Sequence, residues 1–355
     1  MKGLFAGVVV VALVAGFWLL QQQPEPLPPR LQADTWQAFS EQFVEASGRV
    51  VDRDNGGISH SEGQGYGLLF AQAADDRQAF ERIWQWTQTQ LQRQDGLFSW
   101  KYSPCPEKDA SCISDPNNAS DAEILIAWAL LRAADRWQVD EYREAADRIA
   151  RAASDKLLLQ HQGQLLLLPG ELGFIQGEAV TLNPSYWVFP ALDALAKAFP
   201  EQAWQQLAEQ SRTDLRKMAS LTSGLAPDWV ALVEGEWQAS SLFPWRYGFD
   251  AVRVPLHLAW SQEGISEQEA EPYLTFWQNH SPPPAWISLS GEEQADYAWS
   301  RGMQAVSQVV TALSQGQGLA AEDLIRPDAT SGYYAWSLFL LSQLALADKQ
   351  QESHP

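Results

Sequence analysis

The chain has 355 residues, of which 46% are hydrophobic and 19% charged, and its formal net charge is −20. That balance excludes a disordered chain, and so acidic a surface repels phosphate backbones, which argues against nucleic acid as a partner. The 17 tryptophans suit rings that either fill a core or stack on a ligand, and their abundance does not separate the two readings.

In chain order, Lys2 is followed by an uncharged apolar run from Gly3 to Leu20. It is just long enough to span a bilayer and lacks a clear small-residue cleavage site, so residues 1–20 read as a membrane anchor or a signal peptide. Either way the rest of the chain is expected to be exported: periplasmic or secreted, and held at the inner membrane if the anchor is kept. Gln21 to Arg30 (QQQPEPLPPR) opens a Pro-rich spacer assigned to residues 21–34. Residues 35–348 are read as one domain and 349–355 as a polar tail.

Trp36 to Ala46 places Trp36, Phe39, Phe43 and Val44 on one helical face. Gly65 to Ala74 and Phe80 to Leu91 follow the same rule. Ser120 to Trp137 carries a stripe of Ile124, Ala127, Trp128 and Leu131 behind a Ser120/Glu123 capping box. Tyr142–Leu159, Tyr186–Phe199, Trp204–Leu221, Val252–Trp260, Tyr273–Asn279, Arg301–Leu313 and Tyr334–Ala347 continue the helical series. Strand signals are few. Trp229–Val233 and Glu236–Ala239 read as a hairpin around Glu234-Gly235, and Leu165–Leu168 as a strand or a helix end. Strand–helix alternation is absent, so a single all-α domain with a few short strands in loops is the simplest account.

Several chemistries drop out. The five histidines (60, 161, 257, 280, 354) are scattered without metal-ligand spacing, and no phosphate-binding loop exists. Gly57 to Ser61 begins like a nucleophile elbow but ends in Ser instead of Gly. No metal or cofactor is expected. Cys105 and Cys112 flank a loop rich in Pro and Ser, where an oxidising compartment favours a disulfide.

What remains are carboxylates at helix starts. Ser61-Glu62-Gly63-Gln64-Gly65-Tyr66-Gly67 resembles a capped first turn, with Ser61 and Gln64 as a capping box. An ordinary first-turn acid is one reading of Glu62, but its glycines also permit close approach of a backbone or ligand. Asp121, just inside the helix from Ser120, is favourable there without any catalysis. Asp250 and Arg253 are three apart and able to pair on a helix face, with Trp245, Tyr247 and Phe249 around them.

Together these segments resemble glycoside hydrolase family 8, closest to the cellulase encoded with bacterial cellulose synthases. Gly48-Arg49-Val50-Val51-Asp52, Ala119-Ser120-Asp121, Leu182-Asn183-Pro184-Ser185-Tyr186, Ala226-Pro227-Asp228-Trp229-Val230 and Asp250-Ala251-Val252-Arg253 complete the match. The resemblance implies an (α/α)6 barrel that hydrolyses β-1,4-glucan with inversion, as an endoglucanase. It puts Glu62 on the general acid, Asp250 on the general base and Asp121 on the acid that holds the sugar at the cleavage point. It also puts Trp100, Tyr186, Arg253 and Tyr333 or Tyr334 along the substrate, and makes the cellulose synthase complex a candidate partner. Chitosan or xylan on the same fold, or a non-catalytic glucan-binding subunit, are the rival readings. An inverting pair needs one protonated and one ionised carboxyl group. Asp121 beside Glu62, with burial, is expected to raise Glu62 against its helix dipole.

Overall fold

The computed structural model describes residues 28–105 and 112–353, so residues 1–27, with the apolar run and most of the spacer, lie outside the described residues. The α-helices among them are α1 (Ala33–Phe43), α2 (Ser61–Ala73), α3 (Arg77–Gln90), α4 (Ser120–Trp137), α5 (Asp140–Leu157), α6 (Phe189–Ala198), α7 (Trp204–Ala219), α8 (Arg253–Trp260), α9 (Glu267–Asn279), α10 (Arg301–Ser314) and α11 (Tyr333–Ser353). Helices α2, α4, α6, α8, α10 and α11 each touch the next, and α11 returns to α2, which closes an inner ring. Helices α1, α3, α5, α7 and α9 pack outside it, and a 3-10 turn at Ala321–Asp323 rests on α11. This is the (α/α) barrel expected from the sequence. Of its inner helices, α2 and α4 are buried nearly all round, because they have neighbours on both sides.

The glycines of α2 serve this packing. A Cβ on Gly65 would lie 2.9 Å from Leu125 Cβ of α4, and one on Gly67 would lie 2.6 Å from Val50 Cγ2. The close approach they permit is therefore that of neighbouring parts of the fold, Leu125 of α4 and Val50, rather than of a ligand. Neither expected capping box forms. His60 caps α2 by accepting from Gly63 N at 3.0 Å. Gln64 is buried instead, where it accepts from Val50 N at 2.6 Å and donates to Thr87 Oγ1 at 2.9 Å. Ala119 is the N-cap of α4, without a side-chain bond, and Glu123 turns away to other partners.

Strands fill the loops, all antiparallel. β1 (Ser59–His60), β2 (Lys101–Tyr102) and β3 (Ile113–Asp115) form one sheet; β4 (Leu158–His161) and β5 (Gln164–Leu167) form a hairpin. Leu158 and Leu159 thus leave the helix expected to hold them, since Gln162 and Gly163, both at positive φ, turn the chain back. The hairpin of β8 (Val230–Val233) and β9 (Glu236–Ala239) is extended by β6 (Ile175–Gln176) and β7 (Ala179–Leu182) into a four-stranded sheet. β10 (Arg246–Tyr247) pairs with β11 (Ile287–Ser288). The helix expected from Tyr186 divides into a 3-10 turn, Pro184–Tyr186, and α6, because Pro190 must sit in the first turn of a helix.

The barrel has two poles. The C-terminal ends of α4, α8 and α11 meet where Asp348 accepts from Arg132 Nη1 at 2.7 Å and Trp260 Nε1 at 3.0 Å, with Arg30 as a third partner. A cavity of about 1080 Å³ lies there, lined by Trp128, Phe189, Arg212 and Trp260 among others. The N-terminal ends of the same helices meet at the opposite pole. Leu31 is buried and α11 runs to Ser353, so the folded region extends past both of the boundaries read from the sequence.

Candidate active site

The N-terminal pole gathers the first turns of α2, α4, α8 and α11, whose free N–H groups and dipoles favour negative charge. Glu62, in the first turn of α2, accepts from the Tyr66 hydroxyl at 3.0 Å and from Arg253 Nη1 through the same oxygen, Oε1. Its spacing of four residues from Tyr66 puts both on one helix face. Asp121, in the first turn of α4, is buried and hydrogen-bonded to Glu62. Its Oδ1 accepts from Ala122 N at 2.9 Å.

Two carboxyl groups in a hydrogen bond must share a proton, and the surroundings decide which of them carries it. Burial pushes Glu62 up, but the charge of Arg253 and the hydrogen bonds from Asp121 and Tyr66 outweigh it, leaving Glu62 below the usual carboxylate range. Burial and then the Glu62 charge push Asp121 well above that range. The sequence reading put the raised group at Glu62. The structure corrects this: Asp121 is close, as that reading required, but Arg253 touches Glu62 directly, so the resting proton sits on Asp121.

Asp250 lies in the turn that leads into α8, and Arg253 Nη2 donates to its Oδ1 at 2.8 Å. One guanidinium therefore pairs with both Glu62 and Asp250. Arg253 is itself buried, with Nη2 also donating to Ser185 Oγ at 2.9 Å and Nη1 to Tyr66 at 3.0 Å. Burial raises Asp250 to about 6; Arg253 opposes this, while the charges of Asp228 and Glu62 add to it. Both carboxylates keep a path to solvent, with 21% of the Glu62 side chain and 30% of Asp250 exposed. Beneath Arg253, His257 is fully enclosed, and burial together with the guanidinium charge pushes it down to about 3, so it is a neutral spacer.

The aromatic residues divide. Tyr186 is half-buried and lies within the field of Asp121, Asp250 and Glu62, all of which push its hydroxyl up after burial does. Tyr334 is half-buried and donates to Phe249 O at 2.7 Å, stacking edge-on against the Phe249 ring. Tyr333 is buried, packed on Phe39, Phe43 and His60 beneath Gly63, so it supports the floor. Trp100 is half-buried outside the core cluster, with its carbonyl accepting from Ser61 N at 2.9 Å and its own N donating to Asn117 O at 2.7 Å. It therefore stands between the loops that introduce Glu62 and Asp121. Cys105 and Cys112 are joined in a disulfide with Cα atoms 5.5 Å apart, closing the neighbouring loop.

The sequence reading missed Tyr66, Ser185, Asp228, Glu123 and His257 as members of this constellation. Tyr66 is visible as the i+4 neighbour of Glu62, and Ser185 and Asp228 lie inside segments that carry the family resemblance; Glu123 reads from the sequence only as a capping-box partner of Ser120, and His257 gives no signal beyond helical spacing.

A sequence profile described as "Glycosyl hydrolases family 8" matches residues 7–348. The chain is 36% identical over 318 residues to an endoglucanase of Cellulomonas uda, covering 87% of each. Among solved structures it is similar to a family 8 endoglucanase from Klebsiella pneumoniae at TM-score 0.80 and 35% identity, covering 89% of this chain and 99% of that one. It is also similar to an endo-β-1,4-glucanase from Acetobacter xylinum at TM-score 0.79 and 32% identity, covering 90% and 98%.

Proposed function

The chain belongs to glycosyl hydrolases family 8, and from that premise we propose that it is an endo-β-1,4-glucanase in which Glu62 is the general acid and Asp250 the general base. One observation carries the reading: Arg253 bridges Glu62 and Asp250 while Asp121 is hydrogen-bonded to Glu62. The constellation thus contains one acid equivalent and, above pH of about 6, one ionised base. An inverting glycosidase needs this division, with its two carboxyl groups far enough apart to admit a water.

In the reaction, a glucosyl unit lies against Tyr186 with its glycosidic oxygen toward Glu62. Asp121 passes its proton to Glu62, and Glu62 delivers it to the departing oxygen. Asp250 takes a proton from a water, whose hydroxyl adds to the anomeric carbon from the opposite face. The cycle ends with Asp250 protonated and the Glu62/Asp121 pair one proton short, and both are restored from solvent. Arg253 stabilises the anionic partners at each stage.

The substrate is proposed to be cellulose, cleaved at internal bonds, in company with cellulose synthesis. The exported location, periplasmic or secreted, rests on the apolar run at residues 3–20 and on the Cys105–Cys112 bridge, which suits an oxidising compartment. Among the described residues no helix is long and apolar enough to cross a membrane; anchorage at the inner membrane is proposed on the length and apolar character of residues 3–20 alone.

The test is proton NMR of fresh hydrolysis of a soluble β-1,4-glucan, alongside chitosan and xylan as competing polymers. The α-anomer should appear first, from the glucan. Glu62→Gln and Asp250→Asn should each lower kcat by roughly 10²–10⁴-fold with glucan binding retained. Early β-anomer, or wild-type turnover by either variant, would remove the assignment.

A further inference from the structure

We infer that Asp228 positions the base: a single buried carboxylate holds the turn that presents Asp250 and places a second negative charge behind it. This rests on Asp250 being the base.

Asp228 precedes β8 in the four-stranded sheet, far along the chain from α8, and is 1% exposed. Its Oδ1 accepts three backbone N–H groups of the Asp250 turn: Gly248 at 3.0 Å, Asp250 at 3.1 Å and Ala251 at 2.8 Å. Its Oδ2 accepts from Arg246 Nε at 2.9 Å, and its own backbone N donates to Arg246 O at 2.7 Å. One side chain therefore closes a loop that carries the base from β10 into α8. Gly248 makes room for it, since a Cβ there would lie 3.0 Å from Asp228 Oδ2 and 2.9 Å from Trp286 Cβ. Backbone N–H groups left without this acceptor in a buried turn would have to find others, and the turn would move. Arg246 is held in turn over the rings of Phe249 and Trp286, at 5.4 and 5.8 Å.

The charge acts as well as the shape. The groups facing Asp250 are Arg253 of α8, Glu62 of α2, Asn183 and Tyr186 at the 3-10 turn, Tyr334 of α11 and Asp228. Arg253 is the cation among them, and Asp228 and Glu62 are the anions whose charges lift Asp250. Of these two, Glu62 exchanges a proton in the proposed reaction and Asp228 does not. Removing the Asp228 charge alone should let Asp250 ionise at lower pH.

Asp228→Asn and Asp228→Ala in the full chain separate the two roles. The asparagine oxygen can keep the three backbone bonds, and its amide nitrogen displaces only Arg246, whose side chain is 29% exposed and can turn to solvent. For Asp228→Asn, the acid limb of the kcat/KM profile on a soluble cello-oligosaccharide should move down by about one pH unit, with the alkaline limb unmoved. Asp228→Ala, folded by circular dichroism, should lose at least tenfold in kcat with little change in KM. An unshifted acid limb in Asp228→Asn refutes the role of the charge, and wild-type kcat in folded Asp228→Ala refutes the positioning. Failure of the underlying base assignment is seen separately, as activity retained by Asp250→Asn.

Discussion

Replacing Glu123 by Gln should make this protein less stable than the parent at low pH and more stable at high pH. Glu123 is completely buried, two residues past Asp121, with Oε1 accepting from Phe98 N at 2.9 Å and Oε2 from Asn118 Nδ2 at 3.3 Å. Burial raises its carboxyl from 4.5 to about 7, since these neutral donors only partly replace water. A carboxyl raised on folding binds its proton more tightly in the native state than in the unfolded chain. Its contribution to stability is therefore intact below about 4.5 and is lost as pH rises to about 7. The shift of about 2.5 units corresponds to about 3 kcal/mol at 1.36 kcal/mol per unit. Glutamine removes that penalty and still accepts from Phe98 N, but its amide faces the Asn118 amide, at a cost of about 1 kcal/mol. Glu123→Gln should thus be less stable than the parent by about 1 kcal/mol at pH 4.5 and more stable by about 2 kcal/mol at pH 8. Urea unfolding of both proteins across that range measures the difference directly. A difference that stays constant from pH 4.5 to 8 would mean that Glu123 does not titrate on folding, and the argument from burial would be wrong.

Two further outcomes are expected. Trp100→Ala should raise KM for a soluble β-1,4-glucan roughly fivefold, the equivalent of about 1 kcal/mol of ring stacking, with kcat nearly unchanged; an unchanged KM would leave Trp100 a structural residue of its loop. Gly302→Ala should destabilise the barrel by at least about 2 kcal/mol, visible by calorimetry as a lower Tm, because its Cβ would sit 2.1 Å from the Ala335 carbonyl oxygen where α10 crosses α11.

Phe39 and Phe43 on α1, and Ile124 and Trp128 on α4, show why so much of the fold was legible. A helix that buries one face repeats its apolar residues at helical spacing, a property of the local chain that needs no knowledge of its neighbours. The short strands were harder, since β7 pairs with β8 from a distant part of the chain and β6 only adds to β7. The glycines of α2 were visible as an anomaly, but whether a ligand or Leu125 of α4 filled the space beside them depended on packing.

The same division runs through the site. Glu62, Asp121 and Asp250 stood out as acids at helix starts, and their neighbours in sequence supplied the family resemblance. Which of them holds the proton was decided by Arg253, a residue that reaches Glu62 only through the closed ring of helices. Composition and local pattern determined that this chain would form helices, where they would lie and which carboxylates would be available at their ends. The tertiary structure alone decided that the ends of α2, α4, α8 and α11 share one pole. Charge, hydrogen bonding and desolvation act over a few ångströms of space, irrespective of separation along the chain, so the proton on Asp121, the poise of Asp250 and the grip of Asp228 exist only once the barrel has closed.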